Sequence, residues 1–208
     1  HTGNWPGKTV TNAQGIHHRN GKNYIMVDIP GTYSLLAHSA EEEVARDFIC
    51  FGDPDAVVVV CDATCLERNL NLVLQTIEIT KKVVVCVNLM DEARKKGIHV
   101  DIEKLSQVLG VPTVGCVARD KKALSAIMDA VDRVLQEKED TEHVTIGYPL
   151  LIEAALEKIQ PMLEAKIPDS KISYRWMGLK LLEYDEKTIQ AMAQYLQFDF
   201  LEDEEMME

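Results

Sequence analysis

The sequence predicts an α/β fold with a parallel sheet, followed by a small C-terminal all-helical subdomain. Two apolar runs, "DAVVVVCDA" (55–63) and "KVVVCVNLMDEA" (82–93), lack the alternation of a strand with one exposed face, so they predict strands covered on both faces. Amphipathic helical patterns lie between the apolar runs, and strands that alternate with helices pair in parallel. Beyond about Glu137 the strand-like runs stop and only helical patterns follow.

The first elements of the chain predict a hairpin and a helix. "RNGK" (19–22) contains the Asn-Gly pair of two-residue hairpin turns, so we expect it to join a strand at 10–18 to one at 23–28. In "HSAEEEVARDFI" (38–49), Ser39 is followed by Glu42 three residues later. This is a capping-box pattern, and it predicts a helix that runs to about Cys50.

The middle of the chain continues the alternation of strand and helix. After the run at 55–63 we expect a helix over Arg68–Thr80, with an apolar stripe formed by Leu70, Val73, Leu74 and Ile77. The run at 82–93 predicts a strand that ends at Asn88. Further on come a short helix in "DIEKLSQVLG" (101–110), a third strand in "VPTVGCVA" (111–118) and a helix over Lys121–Gln136.

The C-terminal part predicts three helices and a domain boundary. The helical patterns are "LLIEAALEKIQPMLE" (150–164), "ISYRWMGLKLLE" (172–183) and "DEKTIQAMAQYLQF" (185–198). The stretch before them is polar and punctuated. We therefore predict one domain at residues 1–140 and a helical domain at residues 145–208.

Composition restricts the class of protein. The chain has 208 residues, enough for one domain with an appendage and a substantial core. Its formal net charge of -12 argues against sequence-independent nucleic-acid binding, which rests on lysine and arginine neutralising phosphates. We expect no signal peptide at the start, and no apolar run approaches the roughly 18–20 residues that span a bilayer.

The cysteines are odd in number and lie mostly in or beside apolar runs, which indicates free thiols in a reducing cytosol. Cys61 and Cys65 form a lone C-x-x-x-C pattern. A metal site and two core thiols are both open there, and the absence of a second pair favours the thiols. The five residues are Cys50, Cys61, Cys65, Cys86 and Cys116.

Three short motifs follow three successive predicted strands. They are "VDIPG" (27–31), "NLMD" (88–91) and "CVAR" (116–119). Each is weak alone, because 28–31 reads equally as a turn and 88–91 as a helix N-cap. Their order, their spacing and their position at strand ends make a joint role more plausible, since ligands of open α/β sheets bind outside the carboxyl ends of the strands.

The chemistry of these residues suits a guanine nucleotide with its metal ion. Asp28 can hold Mg²⁺ through water, and the Gly31 N–H can donate to a γ-phosphate. The Asp91 carboxylate can accept from both N1–H and the exocyclic amine of guanine, whereas adenine has no N1–H. Asn88 would tie the loop to its neighbours, and the Ala118 N–H could donate to guanine O6.

"GNWPGKTV" (3–10) resembles a phosphate-binding loop but does not satisfy the motif. G-x-x-x-x-G-K-[ST] would require a glycine at position 2, where the chain has Thr2. Such a loop also follows a buried strand and opens a helix, and neither flank fits. We therefore reject this interpretation of the stretch.

Together these residues resemble the cytosolic N-terminal region of FeoB, the family of bacterial ferrous iron transport proteins B. The stretch 3–10 is similar to the family's switch I segment, and "DIPGTYSL" (28–35) with "EEEVARDFI" (41–49) to its third G motif and switch II. "NLMDEA" (88–93) is similar to its fourth motif, and "YRWMGLKLLEYD" (174–185) to the signature of its helical spacer domain. The resemblance implies a Ras-like P-loop GTPase fold with a three-layer sheet, lacking its first strand and P-loop in this chain, and a helical spacer.

The resemblance also implies roles for residues of the phosphate side. Thr9 would be the switch threonine, whose hydroxyl coordinates Mg²⁺ and whose N–H senses the γ-phosphate. Thr9, Asp28 and Gly31 would then form the catalytic group, with Thr9 and Asp28 as metal ligands. Thr32 stands where faster GTPases place a water-orienting glutamine, so we expect slow hydrolysis.

On the base side, the resemblance groups three further residues with Asn88 and Asp91. Leu89 replaces the usual lysine of the motif, and Val117 and Arg119 flank Ala118 in the loop after the third strand. The expected cofactors are GTP or GDP and Mg²⁺. Without a P-loop, this chain is expected to bind nucleotide poorly or not at all.

The resemblance implies a GTP-switched regulatory domain on the cytoplasmic face of the bacterial inner membrane. Its expected partners are the transmembrane portion of the same transporter and further copies of the chain, with no nucleic acid. The alternative is a degenerate, non-nucleotide-binding interaction module of the same fold. Direct Fe²⁺ binding by His17, His18, His38 and the acidic tail is a weaker hypothesis, because these residues lack ligand spacing.

Overall fold

A computed structural model describes residues 3–5, 8–10, 13–35, 39–117, 121–136 and 145–203. The chain divides into two compact units. One combines residues His1–Asp53 with Leu150–Glu208, and the other is Pro54–Pro149. The units are defined by internal contacts, and the predicted domains at 1–140 and 145–208 stay a prediction.

The elements alternate as the sequence suggests. The strands are β1 Gly3–Trp5, β2 Lys8–Val10, β3 Ala13–Arg19, β4 Lys22–Asp28, β5 Val57–Asp62, β6 Val83–Asn88 and β7 Thr113–Gly115. The helices are α1 Ala40–Phe51, α2 Leu66–Ile79, α3 Met90–Lys95, α4 Ile102–Leu109, α5 Lys121–Gln136, α6 Leu150–Lys166, α7 Tyr174–Leu182 and α8 Glu186–Leu196. A 3₁₀ turn at Ala63–Cys65 leads from β5 into α2.

The second unit is built around a three-stranded parallel sheet in the order β5-β6-β7. Val83, Val85 and Val87 of β6 are buried in a core with residues of α2 and α4. The alternate residues Val84 and Cys86 point to the other face and are also buried, and α5 packs against β6 and β7. The prediction of a strand covered on both faces is therefore confirmed for β6.

The same prediction is wrong for part of β5. Val59 and Cys61 are buried, but Val60 between them is 61% exposed. β5 is the edge strand of this sheet in the part of the chain that the structure describes, and α5 packs on β6 and β7 rather than on β5. An apolar run can thus have one uncovered face when its strand lies at a sheet edge.

Several local signals are confirmed. Asn20 and Gly21, with φ of 49° and 75°, join β3 and β4 in the left-handed conformations that a two-residue hairpin turn needs. The Ser39 side chain accepts from the Glu42 N–H and the Glu42 carboxylate accepts from the Ser39 N–H, so α1 begins with the expected capping box. Asp101 caps α4 as predicted.

Other local predictions need correction. Val10 lies in β2, which pairs with β1, and the hairpin strand begins at Ala13. Leu74 of the predicted stripe on α2 is 38% exposed, whereas Asn69 and Thr76 are buried with Val73. The buried face of α2 is therefore rotated relative to the predicted apolar stripe. Asn69 and Thr76 can face the core because their side chains find hydrogen-bond partners there.

The first unit combines the two small antiparallel sheets β1-β2 and β3-β4 with helices α1, α6, α7 and α8. The buried Arg46 guanidinium of α1 donates to the Thr188 hydroxyl of α8 at 2.7 Å and to the Asp47 carboxylate. The rings of Phe51 and Tyr195 pack between the same two helices, with centroids 5.2 Å apart and planes inclined at 40°. None of the described helices is long and apolar enough to cross a membrane.

Helices α6 and α7 approach closely at Gly178. A Cβ atom added there would lie 3.0 Å from Leu156 Cδ2 and 3.3 Å from Ile159 Cγ2. Leu156 is fully buried and has little room to retreat. The glycine is therefore needed for the packing distance between the two helices.

We expect Gly178→Ala to lower the free energy of unfolding by about 1–2 kcal/mol, because overpacking outweighs the gain in helix propensity. Urea denaturation measures the effect. Gly15→Ala is the matched control, since an added Cβ at Gly15 meets no atom within 4 Å. A Gly178→Ala protein as stable as the parent would show that α6 and α7 separate freely.

Candidate functional site

Polar residues gather where the three parallel strands end. Asp62 is the last residue of β5 and Asn88 the last of β6, and the two are register partners. Cys116 follows β7, and its N–H donates to the Val87 carbonyl at 2.8 Å. Asp62, Asn88 and Cys116 thus lie side by side at the carboxyl edge of the sheet, one from each strand. The sequence motif predicted this strand-end position for Asn88.

A strained turn connects β6 to α3. Leu89 adopts φ 60° and ψ 32°, a left-handed conformation that costs a residue with a Cβ about 1 kcal/mol or more. The Met90 N–H donates to the Cys116 carbonyl at 3.3 Å, and the Ala93 N–H to the Leu89 carbonyl at 3.0 Å. These bonds hold the turn between the end of β7 and the start of α3.

The connection from β6 places Asp91 in the first turn of α3, where one of its carboxylate oxygens is buried without a hydrogen-bond partner in the part of the chain that the structure describes. Asp91 Oδ1 is buried and has no hydrogen-bond partner among the described residues. A buried acceptor left unpaired costs about 1–3 kcal/mol. Such an atom at the carboxyl edge of a parallel sheet is a candidate acceptor for an N–H or O–H group of a ligand.

The Asn88 side chain is supported by thiols. The Cys116 Sγ donates to Asn88 Oδ1 at 3.6 Å, and the Cys86 Sγ lies 3.0 Å from the Cys116 Sγ. Burial, followed by the hydrogen bond with Cys116, raises the pKa of Cys86 to about 12, so this thiol stays protonated. Sequence reasoning treated both cysteines as core residues. The sequence signal for their role was their position. Cys86 lies two residues before Asn88, and Cys116 lies at the end of a predicted strand.

Asp62 is a second residue of this edge that sequence reasoning missed. Its carboxylate accepts from the Thr64 N–H at 2.7 Å, and its own N–H donates to Asn69 Oδ1 at 2.8 Å. The hydrogen bonds from Thr64, the backbone one first, hold the pKa of Asp62 below its usual value. Asp62 therefore caps the turn that leads into α2.

The predicted phosphate-side residues belong to the other compact unit. Thr9 lies in β2 opposite Asn4, and Asp28 is the last residue of β4, with an exposed side chain. Gly31 is exposed, and an added Cβ would meet no atom within 4 Å. That these residues join Asp91 around one nucleotide stays a prediction.

The remaining predicted base-side residues are described in part. Val117 is half-buried and directly follows Cys116. Ala118 and Arg119 lie outside the described residues, so their proposed roles stay predictions. Within the described part, the structure brings together Asn88, Leu89 and Asp91 with the end of β7.

Comparison with known proteins links this architecture to one family. The family model described as ferrous iron transport protein B matches residues 1–131, and the model of the FeoB cytosolic helical domain matches residues 148–207. The Fe(2+) transporter FeoB of Escherichia coli K12 is 38% identical over 188 residues, and that of Salmonella typhimurium 35% over 187. In both cases the match covers 88% of this chain and 24% of the relative, so the chain spans about a quarter of those proteins.

Solved structures of relatives have the same fold. The cytosolic domain of T. maritima FeoB in a GDP form is 29% identical, with a TM-score of 0.80 over 94% of this chain and 76% of that one. Its GMPPNP form has a TM-score of 0.77 at 30% identity, covering 92% and 76%. The cytosolic domain of L. pneumophila FeoB gives 0.75 at 26% identity, covering 95% and 84%.

We expect Asp62→Ala to lower the free energy of unfolding by about 1 kcal/mol at neutral pH, because the turn loses its cap. The folded pKa of Asp62 is lowered, so its stabilisation is full above the ordinary value of 3.8 and is lost as pH falls through the folded pKa. Urea denaturation at several pH values measures both effects. Asp62→Asn, which keeps an acceptor oxygen, is the control, and equal stability of the alanine protein and its parent at pH 7 would contradict the assignment.

Proposed function

The chain belongs to the FeoB family of ferrous iron transport proteins B, and from that membership we propose that it binds GTP and GDP and slowly hydrolyses GTP. In this proposal it regulates a ferrous iron transporter from the cytoplasmic face of the membrane. The observation that carries the proposal is the buried, unpartnered Asp91 Oδ1 at the carboxyl edge of the parallel sheet. The ligand that completes it is a guanine base.

Guanine fits the needs of Asp91. Its N1–H and exocyclic amine form a pair of donors that one carboxylate accepts side by side, and this would satisfy the buried oxygen. Adenine carries no N1–H, so it would leave Oδ1 unpaired and would be rejected. Asn88, held by Cys116, would fix the turn from behind, and the Ala118 N–H would donate to guanine O6.

The phosphates and Mg²⁺ would be held by Thr9, Asp28 and Gly31. A threonine hydroxyl and a carboxylate are hard oxygen donors that suit Mg²⁺, and the Asp28 side chain is exposed at a strand end. The metal ion, when bound, neutralises charge on the β- and γ-phosphate oxygens. The exposed backbone of Gly31 leaves its N–H accessible to a phosphate oxygen.

We further propose that a strand carrying a phosphate-binding loop pairs with the outer edge of β5. The position of β5 at the edge of the described sheet supports it, because the outer edge of β5 has no partner strand among the described residues. An apolar edge strand that stays uncovered is an aggregation hazard. The matched structures also extend beyond the region that this chain covers, which is 76% of the T. maritima domain.

The proposed partners follow from the relatives. In the relatives named Fe(2+) transporter FeoB, the segment that matches this chain makes up 24% of the protein. Those relatives are therefore about four times as long as the matched segment. We propose that the remainder of such a protein, in the membrane, is the partner that responds to the nucleotide state. Self-association into a homo-oligomer is a further possible arrangement in this proposal.

The base assignment is tested by calorimetric titration of the chain, extended upstream through its reading frame, with GDP, ADP and XDP. We expect binding of GDP and none of ADP. Asp91→Asn should weaken GDP binding on the order of 100-fold or more and improve XDP binding, because xanthine has a carbonyl where guanine has its amine and an amide can donate to it.

Glu92→Gln is the matched control for this titration. It removes a neighbouring carboxylate that pairs with Lys95 on the surface, so GDP affinity should stay within about threefold of the parent. Absence of GDP binding in the extended chain would refute the proposal and favour the non-nucleotide-binding interaction module.

The hydrolysis rate gives a separate prediction about Thr32. Its hydroxyl donates to the Ser34 carbonyl at 2.6 Å, so it is engaged in a local turn and does not orient water. Single-turnover GTP hydrolysis should therefore be slow, on the order of 10⁻³ s⁻¹ or below, and Thr32→Ala should change it less than about threefold. A loss of tenfold or more in the alanine protein would assign Thr32 a catalytic role.

A further inference from the structure

Two buried thiols lie beside the turn from Asn88 to Asp91, which is called the base-recognition turn below. The Cys86 and Cys116 sulfurs lie 3.0 Å apart, and the side chains are 4% and 6% exposed. Cys86 pairs with Val114 in the register of β6 and β7, so Cys116, two residues later, projects toward the same face. Two neighbouring strands thus bring the sulfurs together, while the other buried strand thiol, Cys61, points into the opposite core.

The protons of the two thiols have defined acceptors. Cys116 donates to Asn88 Oδ1 at 3.6 Å, which leaves its sulfur as the acceptor for the Cys86 S–H. The backbone of Cys116 also braces the turn, because its carbonyl accepts from the Met90 N–H at 3.3 Å. The S–H of a reduced Cys116 therefore holds the Asn88 side chain, and the Cys116 backbone holds the start of α3.

We propose that Cys86 and Cys116 form a reversible disulfide that releases the base-recognition turn, a modification site that regulates the proposed nucleotide site and rests on that function. A disulfide has no S–H group, so Asn88 Oδ1 would lose its donor. The sulfurs would also move from 3.0 Å to a bond of about 2.05 Å, which pulls Cys116 toward β6.

Hydrogen peroxide can supply the oxidation. The Cys116 thiol loses its proton, its sulfur attacks one peroxide oxygen and the O–O bond breaks; the hydroxide that leaves takes up that proton, so a sulfenic acid and one water result. The Cys86 sulfur then attacks the Cys116 sulfur, gives up its proton, and the S–O bond breaks to release a second water. Two thiols and one peroxide thus give one disulfide and two waters, and a dithiol reductant reverses the reaction.

Cys116 is the residue that reacts first in this scheme. Burial keeps the pKa of Cys86 at about 12, so its thiolate is scarce at neutral pH and it serves as the resolving thiol. Cys116 lies beyond the last residue of β7, where opening of the strand end exposes it more readily than the mid-strand Cys86.

The test uses the 208-residue chain, treated with peroxide or left reduced. Peptide mass spectrometry should find a Cys86–Cys116 crosslink, and amide hydrogen exchange of residues 88–95 should become at least about fivefold faster, with both changes reversed by dithiothreitol. Cys86→Ala should abolish the crosslink and the peroxide effect. Cys61→Ala, the matched buried thiol, should retain both.

Two results would overturn the inference. One is the absence of the crosslink when the exposed Cys65 is already oxidised, and the other is a crosslink with unchanged exchange at 88–95. GDP titration of the reduced, upstream-extended chain tests the nucleotide site separately. A crosslink with faster exchange but no GDP binding would support the thiol pair and reject the proposed function.

Discussion

The register of three parallel strands is the constraint on which the candidate site depends. Asp62 faces Asn88 across β5 and β6, and the Cys116 N–H donates to the Val87 carbonyl, so three chain segments end along one line. Burial of the β6 side chains on both faces holds this strand in the middle of the sheet, and its pairing with β5 and β7 sets where each chain segment leaves the sheet. The apolar core thus positions polar groups that contribute little to its own stability.

The turn after β6 places Asp91 at the carboxyl edge of the sheet, and it contains two locally unfavourable features. Leu89 is held in a left-handed conformation and Asp91 keeps a buried, unpaired oxygen, and both features are unfavourable in isolation. The hydrogen bonds from the Met90 N–H to the Cys116 carbonyl and from the Ala93 N–H to the Leu89 carbonyl hold this turn in place. In the proposed function, such a site gains most when a ligand supplies the missing donor, and this would account for selectivity toward guanine.

Local sequence signals predicted much of this fold, whereas nonlocal contacts were not predictable. The Asn20-Gly21 turn and the α1 capping box were read correctly because their chemistry lies within four residues. The choice of Asn88 and Asp91 came from motif spacing. The exposed face of Val60 and the meeting of Cys86 with Cys116 depend on which strand lies at the edge and on the exact pairing register, which one sequence does not encode locally.

Recognition of guanine by Asp91 is tested most directly by a crystal structure of the upstream-extended chain with GDP. The quantity to measure is the distance between Asp91 Oδ1 and guanine N1. The account predicts a hydrogen bond of about 2.7–3.0 Å, with the exocyclic amine donating to the same carboxylate. A guanine base bound elsewhere, with Asp91 Oδ1 still unpaired, would contradict it.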